Sequence, residues 1–250
     1  MSRVVLVIGG SGGIGSQTAR RLVARGDRVV LVARDRARVE EVAREIGATA
    51  YEGDALDTER IDAIVAHVEQ DFGGIDGLVH AVGSIMLRPL HALSLEDFRA
   101  TLEINATSAF VVTKAVVKQM MRRRRGSIVL FSTVAAQTGL QNHEAIAAAK
   151  GAVEGLVRSA AISYARYDVR VNAVAPALTR TALSHSLWAN EAALTASVAM
   201  HPLGRIGEAD DVAAAAAFLL SDDAGWITGQ ILGVNGGLGV GNAPPRVVAR

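Results

Sequence analysis

In the stretch HEAIAAAKGAVEGL, His143 to Leu156, one lysine, Lys150, is set among small and aliphatic residues. An ammonium in apolar surroundings is costly unless something pairs with it. Glu154, one turn later, would provide an ordinary helix-surface pair worth about 0.2 to 0.5 kcal/mol; a bound ligand is the other partner. VLVIGGSGGIGSQTARRL, residues 5–22, argues for the ligand. Glycines at such a turn let backbone N–H groups approach a pyrophosphate, and the positive end of the following helix stabilises its charge. Gly10, Gly12 and Gly15 fit G-x-G-x-x-G, while Gly9, Gly13 and Gly15 fit G-x-x-x-G-x-G. With Ser11 and Ile14 they form a candidate dinucleotide cradle, and no G-x-x-x-x-G-K-[ST] loop competes with it.

LVARD, residues 31–35, ends the second strand-like run. An acid at such a strand end takes the adenosine ribose hydroxyls of NAD, whereas an arginine nearby receives the extra phosphate of NADP. Arg34 therefore favours NADP over NAD. Asp35 either pairs with Arg34 or faces solvent.

These residues need a frame that repeats. Valine- and isoleucine-rich runs at 3–9, 28–33, 75–82, 126–132 and 169–175 alternate with helical patterns near 13–25, 36–46, 57–72, 95–121 and 143–166. Near-continuous apolar strands joined by helical crossovers imply an α/β fold, a doubly wound parallel sheet with helices on both faces. No linker divides the chain, so one domain spanning 1–250 is expected. Irregular residues 177–207 are expected to form a substrate lid, with a helix carrying His185 and Trp188 as specificity or packing residues. The tail, 241–250, is expected to be loose or partner-bound.

The chain of 250 residues has a formal charge of +1, with 20% charged and 50% hydrophobic residues, and nothing in it points to a strongly basic or acidic partner. Only 4% are aromatic, so the core must be built from Val, Ala, Leu and Ile. Cysteine is absent, which excludes disulfides and thiolate metal sites. The first strand-like run begins too early for a signal peptide and no apolar run is long enough to span a bilayer, so a cytoplasmic protein without membrane contact is expected. Arg122–Arg125 end a helix, where cations complement its dipole; nucleic-acid binding would need a wider basic face. The histidines lack metal-ligand spacing, so no metal is expected.

GGSGGIG, GDALD, INATSAF, STVAAQTG followed by AAAKGAVEGL, RVNAVAPALTRT and ITGQILGVNGG together resemble the short-chain dehydrogenase/reductase family over residues 3 to 240. The resemblance implies a seven-stranded Rossmann sheet, a nicotinamide cofactor, a small-molecule substrate and a homo-oligomer, commonly a tetramer. It further implies that Asn105 holds a water in a proton relay and that Lys150 bonds the nicotinamide ribose. Asp54 and Ala55 would flank the adenine, Gly83 and Pro176 the cofactor, and Thr181 the carboxamide.

The family's catalytic tyrosine, four positions before the lysine, falls on Ile146, and its serine on Thr133, beside Ser132. An isoleucine has no proton to give. Thr133 retains a hydroxyl for hydrogen bonding, but its pKa is far too high for an acid. The remaining proton sources are His143, Glu144, or a water held by Asn105 and Lys150; alternatively the substrate needs no acid there, as with an iminium or conjugated C=C bond. A protein that binds nucleotide without turnover is the alternative.

Overall fold

Val4–Ile8, five buried aliphatic residues, form β1 at the centre of a parallel sheet. Alternate side chains leave opposite faces of a strand. Leu6 and Ile8 accordingly enter the core on one side, with Ile61 and Ile64 of α3 (Thr58–Phe72), Val112 and Val116 of α5 (Ser108–Arg123), and Val153 and Val157 of α6 (Glu144–Ala165). Val5 and Val7 enter the other, with Leu22 of α1 (Gly13–Ala24), Val39 of α2 (Arg36–Ile46) and Val212 of α8 (Ala209–Leu220). Each fully buried aliphatic side chain contributes about 1.5 to 3 kcal/mol. Both faces are covered, as the continuous valine runs require.

The protein's structure is a computed structural model that describes residues 2–241; the expected tail lies, apart from Gly241, outside the described residues. Seven strands run in the order β3 (Thr49–Glu52), β2 (Arg28–Ala33), β1, β4 (Gly77–His80), β5 (Gly126–Phe131), β6 (Val169–Pro176), β9 (Ile231–Val234), every pairing parallel. From β1 the chain passes to β2 on one side and later returns to β4 on the other. The crevice at the carboxyl ends of β1 and β4 is thus the topological switch point, where ligands of such sheets bind.

Two stretches depart from the sequence pattern, and a third, the arginines, ends a helix as expected. The expected helix over 95–121 is α4 (Leu95–Leu102) and α5 separated by a π-helical turn, Glu103–Thr107, which shares the apolar periodicity of its neighbours. Residues 177–207 hold β7 (Thr179–Arg180), α7 (Glu191–Met200) and the start of β8 (Gly207–Glu208), which pairs with β7. The arginines of 122–125 pair with Glu69, Asp76 and Asp168, so their charge is spent within the fold.

Asp76 ties the amino ends of the central strands together. Its carboxylate accepts from Val4 N at 2.9 Å and from Arg123 at 2.8 Å, and its carbonyl accepts from Ser127 N at 3.0 Å. Asp76→Ala should cost about 2 kcal/mol, mainly by leaving the buried Val4 N–H without a partner. A fall in the urea midpoint with unchanged slope is the expected result; an unchanged midpoint would contradict it.

Candidate functional site

The turn after β1 is shaped by backbone contacts. Gly9 has φ +81°, and a Cβ there would stand 2.8 Å from the Ala81 carbonyl; a Cβ on Gly15 would overlap the Gly9 oxygen. Side chains are excluded, and the backbone opens into a cavity of about 760 Å³ along the carboxyl ends of β1 and β2. Of the predicted residues Gly9, Ser11, Gly13, Ile14, Asp54 and Ala55 line it. Gly15 is buried beneath, against Gly9.

Arg34 also lines this cavity, and so does Arg38, one turn into α2. Neither side chain has an ion pair among the described residues. Asp35 neither pairs with Arg34 nor lies idle: it is the N-cap of α2, accepting from Arg38 N at 3.0 Å. Two unpaired guanidiniums at one end suit a phosphate. Asp54 likewise serves its own loop, accepting from Leu56 N at 2.9 Å.

A second cavity of about 360 Å³ adjoins the first; Ile14, Ala81, Gly83 and Thr181 line both. Asn105, Thr133, His143, Ile146, Lys150 and Pro176 all line the second. The sequence thus names residues that the fold brings together from the π-turn, the loop after β5, α6 and the end of β6.

Asn105, fully buried in the π-turn, donates to Ser84 Oγ and to the Thr101 carbonyl, each at 3.0 Å, and accepts from Ser84 N at 3.2 Å. π-Turns interrupt helices chiefly at functional sites. Both amide hydrogens are committed, and Oδ1 keeps one lone pair free. A Cβ on Gly83 would stand 2.8 Å from that oxygen and 3.6 Å from Lys150 Nζ, so only glycine fits between amide and ammonium.

Lys150 is buried and, among the described residues, forms neither a hydrogen bond nor an ion pair. The suggested Glu154 partner is occupied: it accepts from Ser132 Oγ at 2.8 Å and lies 3.5 Å from Arg158. Burial pulls the ammonium from 10.5 down to about 8. His80, near it, is pushed to about 3 by burial and then by the Lys150 charge. Its Nε2–H donates to Ser108 Oγ at 2.9 Å, and that hydroxyl donates to the Ile104 carbonyl at 2.7 Å. His80 is therefore a neutral core residue, and the positive charge belongs to Lys150 alone.

Ile146 is buried on the wall of the second cavity, one turn before Lys150. His143, the N-cap residue of α6, is half-buried; its Nδ1–H donates to the Gln141 carbonyl at 2.7 Å, leaving Nε2 as the exchangeable position. Glu144 is exposed and does not line the cavity. The Thr133 hydroxyl accepts from Ala135 N at 3.3 Å, which leaves its hydrogen available. His185 packs edge-on against Trp188, over which Arg180 lies at 4.8 Å; neither aromatic ring lines the cavity. Leu183, Leu187, Met200 and His201 do so instead. His201 was invisible in the sequence because nothing local marks it. Arg38 was missed as well, although its place in the first turn of the helix that follows Arg34 could have marked it.

No helix of the described residues is long and apolar enough to cross a membrane, and none of their side chains cluster as a metal site.

A family model described as Enoyl-(Acyl carrier protein) reductase matches residues 9–239. The chain is 38% identical over 226 residues to "Inactive 2-(S)-hydroxypropyl-CoM dehydrogenase 2" of Xanthobacter autotrophicus, covering 88% of this chain and 98% of that one. It is 38% identical over 241 residues to 2,5-dichloro-2,5-cyclohexadiene-1,4-diol dehydrogenase of Sphingobium indicum, covering 94% and 96%. Among solved structures, ElxO with NADP bound superposes with a TM-score of 0.90 at 27% identity, over 95% of this chain and 99% of that chain.

Holding an unpaired ammonium costs stability. In the unfolded chain the Lys150 amine keeps its proton to about 10.5, in the folded chain only to about 8, which corresponds to about 3 kcal/mol. Below the lower value both states are charged and the folded state bears the full cost; above the upper value both are neutral and the cost vanishes. Lys150→Met should therefore stabilise the ligand-free protein by about 1 to 3 kcal/mol near neutral pH, and by progressively less as pH rises through 8 to 10.5. Urea unfolding across that range checks this; a destabilised variant at neutral pH would refute it.

Proposed function

Because the chain belongs to the short-chain dehydrogenase/reductase family, we propose that it is an NADP(H)-dependent oxidoreductase with altered proton chemistry. Its substrate is a small organic molecule bearing a carbonyl, an imine or a conjugated C=C bond. Ile146 stands where the family carries its tyrosine. The observation that carries this reading is Lys150: a buried ammonium without a protein partner, beside Gly83 where the two cavities meet. Such a group is retained at a cost in stability when a ligand completes it.

The residues present fit the dinucleotide. The Gly9–Gly15 backbone and the amino end of α1 would hold the pyrophosphate, Asp54 and Ala55 would border the adenine, and Arg34 with Arg38 would take the 2′-phosphate. Lys150 would hold the nicotinamide ribose, Thr181 the carboxamide. When bound, the nicotinamide gives or takes hydride. NADP in the related ElxO structure supports this choice of cofactor over NAD.

The chain's own part is to orient the substrate and manage a proton. Thr133 donates to a substrate oxygen, and Leu183, Leu187 and Met200 act as a lid that excludes water. His143 Nε2, at the mouth of the same cavity, is the exchangeable proton position; exposed Glu144 is not placed for that task. A positioned acid contributes about 10² to 10⁴ in rate, so hydride transfer without the tyrosine is slowed unless the substrate needs no proton at that point.

A second reading, nucleotide binding without turnover, is favoured by Ile146 itself and by the relative whose name carries the word "Inactive". The two separate when the protein is incubated with NADPH and a panel of ketones, imines and enoyl compounds. NADPH oxidation matched to product supports the enzyme; binding without consumption supports the silent protein. Arg34→Ala should weaken NADP binding by about tenfold and leave NAD binding nearly unchanged; equal effects on both would remove Arg34 from the 2′-phosphate. Ile146→Tyr should raise carbonyl reduction by about tenfold or more, and no gain in a folded, NADPH-binding variant would mean that the cavity does not present a carbonyl to that position.

A further inference from the structure

The two cavities differ in charge. Arg34, Asp35, Arg38 and Asp54 line the first; among the described residues no arginine, aspartate or glutamate lines the second, and Lys150 is its one full charge. At about 360 Å³ the second is at the small end of ligand sites. Three hydroxyls on its wall are turned into the protein. Ser132 donates to Glu154 at 2.8 Å, Thr179 to the Ala177 carbonyl at 3.0 Å, and Ser184 to the Thr179 carbonyl. Ser84, beside Gly83, and Thr133 act as acceptors and keep a hydrogen to donate. Ile85, Leu183 and Met200, which also line this cavity, are 38%, 57% and 46% exposed. Large apolar side chains grouped around one opening mark a binding site, and a hydrocarbon that covers them binds in proportion to the apolar area taken from water.

We propose that the second cavity selects an uncharged substrate with one polar function and a hydrocarbon body, and that Ile85, Leu183 and Met200 determine this specificity by packing on that body. An anionic end would be buried without a counter-charge, because the ribose takes the one ammonium once cofactor is bound. A cationic end would be repelled by the same ammonium. Ketones, neutral imines and enones with alkyl or alicyclic bodies are therefore admitted, and keto acids and iminium ions are not. The proposal rests on the oxidoreductase reading, which assigns Lys150 to the ribose.

The test uses NADPH-loaded protein and secondary alcohols, which give no hydride flow with reduced cofactor. NADPH is titrated first by calorimetry; no uptake overturns the oxidoreductase reading, and the proposal with it. Given uptake, affinity should rise about threefold for each CH₂ added from 2-butanol through 2-pentanol to 2-hexanol. The heat-capacity change of binding should grow more negative along the series. 5-Hydroxyhexanoate, which is 2-hexanol with a carboxylate in place of its terminal methyl, should bind about tenfold or more weakly than 2-hexanol. In Met200→Ser and in Ile85→Ser, both at exposed positions, the gain per CH₂ should shrink. Affinity indifferent to chain length, failure of all three alcohols to bind, a carboxylate held as tightly as 2-hexanol, or the full gain per CH₂ in both folded variants each overturn the proposal, with NADPH uptake standing. The wild-type series and the carboxylate decide without either variant.

Discussion

The structure turns on an ammonium group that the fold buries and does not pair. Lys150 is held on α6, with Glu154, one turn on, engaged by Ser132 and Arg158, and with His80, which feels its charge, kept neutral. Desolvation lowers its hold on a proton to about 8. The rest of the site follows from that unmet charge. Gly83 lacks a side chain where one would press on Asn105 Oδ1 and reach Lys150 Nζ, the π-turn aims Asn105 at Ser84, and the two cavities meet beside them.

The neighbouring constraint is the glycine turn after β1. Its glycines are required by close contacts, Gly15 on Gly9 within the turn and Gly9 on Ala81, the latter because β1 and β4 are neighbours at the switch point. The shape of the turn and the pairing of the strands are thus met by the same residues. The second cavity is less tightly determined. Its walls come from α6, the π-turn, the loops after β4, β5 and β6, and the segment ending at His201, so a side chain there, such as Ile146, sets the wall without bearing on the frame.

Much of this was legible in the sequence because it is local. The glycine run, the valine strands and the lysine in an aliphatic helix each carry their meaning within a few residues, and the resemblance carried Asn105, Thr133 and Ile146 to one cavity. What escaped is tertiary or short. β3 is half exposed and β9 only four residues long, so neither shows a clear run. α8, ADDVAAAAAFLL, is apolar nearly all round and lacks a distinguishing stripe. Asp35 was read as pairing with Arg34 or facing solvent; it is exposed, and its carboxylate caps α2, a task that the sequence reading did not name.

The most direct measurement of the central claim is the proton count on dinucleotide binding. If the ammonium closes on the ribose, binding restores its ordinary proton affinity, and the protein must take up a proton at any pH where the free lysine is mostly neutral. Calorimetry of NADP binding in buffers of different ionisation enthalpy should show uptake approaching one proton about one pH unit above 8, and little uptake in Lys150→Ala. Binding with no proton exchange there, or the same uptake in the variant, would contradict the account.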